Sequence, residues 1–128
     1  MRAVMLAGLL LACGPKSSKP KYDTAKLARE LHLDMQELGA IAKQHRGNCP
    51  ALTAALPAHI ERMRGHAAEV TRLQQDPDVA KQLRRDVAAY DEQHRGLADA
   101  IGGDLGASYQ TCPDNKQLLE LIDRIPEL

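Results

Sequence analysis

The chain has 128 residues, and 17 Lys and Arg residues balance 17 Asp and Glu residues, so bulk charge gives it no attraction to nucleic acid. It contains no Trp, no Phe and only 3 Tyr, so it offers few of the aromatic faces on which single-stranded bases stack. Both features argue against a nucleic-acid-binding protein. A core with so few rings must be built from Leu, Ile, Val, Ala and Met, and this composition favours helices.

Residues 1–12 have the pattern of a secretory signal peptide. Arg2 supplies one positive charge, and residues 3–12 form an apolar run. This run is well short of the ~20 residues that a permanent membrane-spanning helix needs. Gly14 and Pro15 follow directly and would end a buried helix. We therefore predict that residues 1–12 are removed on export.

The end of this leader, Leu10-Leu11-Ala12-Cys13, resembles the lipobox of bacterial lipoproteins. In that family the signal is cut before the cysteine, whose sulfur carries a diacylglycerol and whose new amino group is usually acylated. The resemblance implies that Cys13 is lipidated and that this lipid attaches the protein to a membrane. Gly14 stands after the cysteine in place of an Asp, which implies the outer membrane, facing the periplasm, as the destination. After Cys13, the segment up to residue 21 is polar and contains two prolines, so we predict that residues 13–21 form a lipidated cysteine and a flexible tether.

Residues 22–128 are predicted to form one helical domain. Apolar residues recur at steps of three and four, and polar, Gly and Pro residues separate the periodic segments. The predicted helices cover 23–46, 50–75, 77–101 and a shorter segment, 113–124, and the third is expected to end around Gly102-Gly103 or Gly106. Pro57 either kinks the second helix or marks a short first turn. No segment alternates with period two, so we expect an all-α fold, an antiparallel up-down-up-down four-helix bundle with a short fourth helix.

Two cysteines support this topology. Cys49 and Cys112 each precede a proline at the start of a predicted helix. In an up-down bundle the loops that hold them lie at the same end, so in an exported protein we predict a structural disulfide between them. A redox-active pair is the alternative, but no Cys-x-x-Cys motif is present.

Histidine and methionine residues are the candidate ligands for a metal or haem. Imidazole and thioether groups bind haem iron and copper. Three histidines lie roughly 20–25 Å from the cysteine end of the bundle, and two methionines lie within about a turn of that level. These five candidate ligands are His94, His66, Met63, His32 and Met35. In the plainer interpretation His32 and His59 are solvated at the edge of the apolar stripe, His94 flanks the core and the methionines pack in it.

Catalytic motifs are absent from the sequence. It has no His-Glu-x-x-His, no Gly-x-Ser-x-Gly and no glycine-rich phosphate loop, and beyond the leader its serines are Ser17, Ser18 and Ser108. We therefore expect no catalytic residues and no enzyme. The first hypothesis is a membrane-anchored envelope lipoprotein that acts as a non-enzymatic interaction or structural module for an unidentified envelope protein, with no cofactor. The alternative is a periplasmic four-helix bundle that binds haem or copper.

Overall fold

The computed structural model describes residues 22–127, which form five helices and no strand. The helices are α1 (Thr24–Gln44), α2 (Cys49–Leu73), α3 (Pro77–Gln93), α4 (Leu97–Thr111) and α5 (Lys116–Asp123). The all-α prediction is confirmed for this part of the chain. The predicted signal peptide, the lipidated Cys13 and the tether lie outside the described residues. No helix between residues 22 and 127 combines the length and the hydropathy that a bilayer crossing requires.

Polar caps explain where four of the five helices begin. A side-chain oxygen at each of these starts accepts a hydrogen bond from a backbone N–H of the first turn, which would otherwise have no partner. The caps are Asp23, Asn48, Asp76 and Asn115. The helix that Asn48 caps, α2, continues through Pro57 without interruption.

The third predicted helix is two helices, and this prediction is wrong. The chain leaves α3 after Gln93 and turns at Gly96, whose φ of +86° favours glycine because a Cβ would be strained there. It then enters α4 at Leu97. Gly102, Gly103 and Gly106 lie inside α4 and do not end a helix. The fifth helix, α5, is short as predicted, and it begins at Lys116, three residues later than expected.

The helix α1 is the centre of the packing. It contacts α2, α3 and α4, and α5 contacts α2, while the contacts of α2 with α3 and of α4 with α5 are few. The buried residues form two clusters. The cysteine-end cluster contains Leu38, Ala42, Cys49, Leu52, Leu56, Ile60, Met63, Ile101, Leu105, Leu118 and Leu121. The far-end cluster contains Leu27, Ala28, Leu31, Leu73 and Leu83.

Between the two clusters, α1 carries polar residues on two sides. Asp34 is directed towards α2, where it meets His66, and His32 is directed towards the end of α3, where it stacks on Tyr90. Two positions along a helix correspond to a rotation of ~200°, which explains why the two side chains reach different neighbours. At the cysteine end, Cys49 and Cys112 lie as disulfide partners with their Cα atoms 6.5 Å apart.

Candidate functional site

A cavity of about 1060 Å³ lies between α1, α3, α4, the last turns of α2 and residues 125–127. Its existence follows from the lengths of the helices. The eight residues of α5 rise only ~12 Å, whereas the 25 residues of α2 rise ~37 Å, so α5 covers only part of α2. Beyond α5, residues of the last turns of α2 line the same space as residues of α3. The exposed residues Arg84 and Arg95 are part of the lining, so the cavity opens to solvent.

Most of the cavity wall is apolar, and a cluster of rings interrupts it. The ring of His32 stacks on Tyr90 with centroids 4.8 Å apart and an angle of 17° between the planes. His94 is the residue at the C-terminal cap of α3. The centroid of its ring lies 4.2 Å from the ring centroid of His32. His32 Nε2 and His94 Nδ1 are both buried, and neither has a hydrogen-bond partner among residues 22–127. We call His32 and His94 the histidine pair.

The charge state of His32 is set mainly by burial. Loss of hydration lowers the pKa of His32, the nearby imidazole of His94 lowers it further, and the Asp91 carboxylate opposes both effects. His32 is therefore held in the neutral form at neutral pH. A neutral imidazole offers one N–H donor and one lone-pair acceptor, so it can pair with groups of either kind.

A second polar cluster joins α1 to α2 on another side of α1. The Asp34 side chain is only 4% exposed. Its carboxylate meets His66 Nδ1 and lies 3.6 Å from Arg62 Nε. The other ring nitrogen of His66 lies 3.4 Å from the Glu30 carboxylate. A buried carboxylate needs such partners because it has left its hydration behind.

The backbone of Asp34 is held as well. His59 Nε2 donates to its carbonyl oxygen at 2.9 Å, and Arg62 Nη2 donates to His59 Nδ1 at 2.8 Å. Arg62 also pairs with Glu37. His59 is 5% exposed, so the interpretation that it is solvated is wrong. Because its two ring nitrogens are both bonded, we assign it a structural role between the two helices.

The five predicted ligands do not form one centre. Met63 is fully buried in the cysteine-end cluster, and His66 is engaged by Asp34. The other three, His32, His94 and Met35, line the cavity. Within residues 22–127, no three His, Cys, Asp or Glu side chains gather in a way that could hold a metal ion.

Comparison with known proteins assigns no family. No family model, no curated protein and no solved structure matches the chain. The function therefore has to be argued from the cavity and from the sequence motifs.

Sequence reasoning missed two features of this region. One is Asp34, although a signal was present: it stands in the apolar series Leu27, Leu31, Asp34, Leu38, where a carboxylate is unexpected. The other is the cavity itself. Its signal was the difference in length between the second and fourth predicted helices.

Proposed function

We propose that this protein is a lipid-anchored protein of the bacterial envelope that acts without catalysis and holds a small, mainly apolar ligand in the cavity of its helical domain. The observation that carries the proposal is the cavity of about 1060 Å³. Small-molecule sites are concave and mostly apolar, with a few polar groups that orient the ligand, and they commonly measure ~300–1,000 Å³. The volume of the cavity is just above the upper end of that range, and His32 and His94 are among its polar lining residues.

The anchor rests on the sequence alone. The leader and Cys13 resemble a lipoprotein signal, and two or three acyl chains hold a protein far more firmly than one. A tether over residues 14–21 reaches at most ~28 Å, which keeps the domain near the membrane. Mass spectrometry of the protein from its native host should find an N-terminal peptide that begins at an acylated Cys13. An intact Met1 without acyl chains would refute the anchor, the compartment and the outer-membrane location together.

We also propose that α3 and α4 together take the place of the third helix in an up-down-up-down bundle. Two contacts support this order. Thr24, at the start of α1, bonds to Asp86 at 2.6 Å, and Arg46, just beyond its end, lies 3.4 Å from Asp104. Successive positions on α1 thus meet successive positions on α3 and α4, as in parallel segments. A Thr24→Cys, Asp86→Cys variant should form a second intramolecular disulfide, and failure to form it under oxidation would contradict this arrangement.

Ligand binding is tested with an apolar fluorescent reporter, N-phenyl-1-naphthylamine, and a matched pair of variants. Val87 and Val79, two turns apart on α3, both pack on the far-end cluster, but Val87 lines the cavity and Val79 does not. Val87→Trp should fill the space and weaken reporter binding at least about tenfold. Val79→Trp should leave it unchanged. A wild-type protein that binds no reporter, or variants with equal affinities, would refute the proposal.

An envelope protein that docks on the domain fits the same anchored arrangement. In-cell crosslinking of the lipidated protein in its native envelope would identify such a partner. A Cys13→Ala variant, which lacks the site for lipid, is the matched control. Crosslinks that persist unchanged in Cys13→Ala would show that the partner does not require the membrane.

The alternative, a haem- or copper-binding bundle, retains only His32, His94 and Met35 as ligands. It is favoured by the two unpartnered ring nitrogens. Two imidazoles on one metal place their centroids roughly 5 Å or more apart, so the observed 4.2 Å requires the rings to separate first. A Soret band, or one copper per chain that is lost in His94→Ala and kept in His45→Ala, would establish this alternative. A colourless, metal-free protein would remove it.

A further inference from the structure

The described part of the chain begins beside the cavity. Tyr22 packs on the far-end cluster, and the centroid of its ring lies 5.5 Å from Arg72 Cζ. Three members of that cluster, Ala28, Leu31 and Leu83, also line the cavity. The segment that precedes Tyr22 therefore joins the domain next to a wall of the cavity.

The start of α1 also lies near the opening of the cavity. Thr24 bonds to Asp86 at 2.6 Å, which holds the start of α1 against α3. Asp86 is two residues from Arg84, an exposed residue of the lining, and this spacing is only ~3 Å along the helix axis. The preceding segment therefore starts close to the entrance.

The distances allow a lipid on Cys13 to reach this space. The chain from Cys13 to Tyr22 spans at most ~31 Å when fully extended. Measured from Thr24, the lining residues of α1 run from Ala28, at ~6 Å along the axis, to Leu38, at ~21 Å. Every lining position on α1 is thus within the reach of a group carried by Cys13.

One acyl chain fits the cavity in size and in chemistry. A methylene group takes about the volume of a water molecule in the liquid, so ~16 of them, as in a palmitoyl chain, need ~500 Å³. The cavity measures about 1060 Å³. A hydrocarbon chain needs no polar partner, so a wall of Leu, Met, Val and Ile is sufficient to hold it. The Arg, Asp and Glu residues of the lining cancel in charge, so they attract no ionic ligand. They are Arg84, Arg95, Asp91 and Glu127.

Covalent attachment favours this occupant over a diffusible one. A group on a short flexible linker has an effective concentration on the order of mM at a site that it can reach, whatever the concentration of the protein. We propose that one acyl chain carried by Cys13 is the ligand of the cavity, and that it moves between the bilayer and the cavity of its own domain. This inference rests on the proposed function, which supplies both the lipid and the ligand-holding cavity.

Such an exchange makes part of the anchor retractable. A hydrocarbon chain outside a bilayer is strongly unfavourable in water, and the cavity would shelter it there. A chain held in the cavity no longer contributes to membrane binding, and one remaining chain alone binds a bilayer only marginally. The cavity would therefore control how firmly the domain is attached.

The test uses the mature chain, residues 13–128, which contains the whole described domain. With Cys49 and Cys112 joined, Cys13 is the remaining thiol. N-hexadecylmaleimide attaches a long saturated chain there through a thioether, and N-ethylmaleimide attaches the same group without the long chain. We expect the hexadecyl adduct to bind N-phenyl-1-naphthylamine at least about tenfold more weakly than the ethyl adduct. This reduction should not depend on protein concentration, and added Cys13→Ala protein should bind the reporter normally.

A matched pair of variants locates the chain. In the hexadecyl adduct, Val87→Trp should fill the cavity and expel the chain, so this adduct should bind phosphatidylcholine vesicles at least about tenfold more tightly than the wild-type adduct. Val79→Trp, which is outside the lining, should bind the vesicles like the wild type. The ethyl adducts of the three proteins give the baseline for binding without a long chain.

The outcomes separate this inference from the proposed function. If the ethyl adduct binds no reporter, the proposed function fails. If the ethyl adduct binds the reporter and the hexadecyl adduct binds it equally well, the acyl ligand is overturned and the cavity remains a site for a diffusible molecule. A reduction seen only at high protein concentration, which indicates a chain that enters a second copy, would also overturn it. So would equal vesicle binding by the wild-type and Val87→Trp hexadecyl adducts. The wild-type comparison of the two adducts needs no substituted domain to fold.

Discussion

Replacing Asp34 by asparagine tests whether a buried carboxylate ties α1 to α2. The substitution keeps the size of the side chain and the backbone carbonyl that receives His59, and it removes the charge that faces His66 and Arg62. A hydrogen bond to a charged group contributes about 1.5–3 kcal/mol, and breaking a buried pair costs about 3–5 kcal/mol. The side chains of His66 and Arg62 are 24% and 50% exposed, so water replaces part of what they lose. We therefore expect Asp34→Asn to lower the free energy of unfolding by about 2–3 kcal/mol.

Urea unfolding at neutral pH measures this loss, and the dependence on denaturant should stay unchanged because the surface exposed on unfolding is the same. Glu37→Gln is the matched control. It also removes a carboxylate that pairs with Arg62, but its side chain is 54% exposed, so the expected loss is below about 1 kcal/mol. In a thermal melt the Asp34 variant should unfold roughly 10–20 °C lower. If Asp34→Asn loses no more than Glu37→Gln, burial does not strengthen this cluster and the argument is wrong.

Three further predictions concern other parts of the domain. Replacing both Cys49 and Cys112 by serine opens a loop with a sequence separation of 63 and should lower the free energy of unfolding by about 4 kcal/mol. Dithiothreitol should lower the melting temperature of the wild type only; equal sensitivity of the double variant would contradict a disulfide. The pKa of His32 is lowered in the folded state, so as the pH falls the unfolded chain binds a proton at His32 before the folded chain does. The contribution of His32 to stability is therefore complete above pH ~6.5 and decreases as the pH falls towards the folded pKa. Urea titrations from about pH 7.5 to about pH 5.5 should show a weaker decline in His32→Gln, and an unchanged decline would refute the assignment. Gly65→Ala, inside α2 with nothing within 4 Å of the new Cβ, should raise the free energy of unfolding by about 0.5–1 kcal/mol, whereas Gly96→Ala should lower it by about 1 kcal/mol because its φ is +86°. Calorimetry that gave both the same sign would contradict the backbone argument.

The starts of α1, α2 and α3 could be predicted because their signals are local. Asp76 with Pro77 marks the beginning of α3, and Asn48 caps α2, whatever the rest of the chain does. The end of α3 could not be predicted, because several glycines competed for that role. A glycine inside a helix costs only about 1 kcal/mol, so packing can keep α4 helical through three of them. The contact of α4 with Gly39, where a Cβ would lie 3.4 Å from Leu97 and Ile101, is a tertiary feature that the sequence does not display.

The candidate site was predicted in part. Counting residues from the cysteine end placed His32 and His94 at one level, and their rings are in contact. The same count placed His66 and Met63 at that level, yet they belong to other surroundings. Height along a helix follows from the rise per residue, whereas the side that faces a given neighbour depends on how the helices pack. The spacing of apolar residues identifies the buried face of each helix, but it does not determine which neighbouring helix each side of that face contacts.

The size of the cavity connects this packing to function. Because the cavity opens to solvent, its cost is that of leaving an apolar wall in contact with water, about 25 cal/mol per Å² of that wall. Water gains little against a wall of Leu, Met, Val and Ile, and the histidine pair offers it few partners. A mainly apolar ligand would displace that water and stabilise the fold by an amount that rises with the logarithm of its concentration, about 2.7 kcal/mol at one hundred times its Kd. The short α5 thus leaves part of the apolar surface of the domain uncovered, and a bound ligand would cover it.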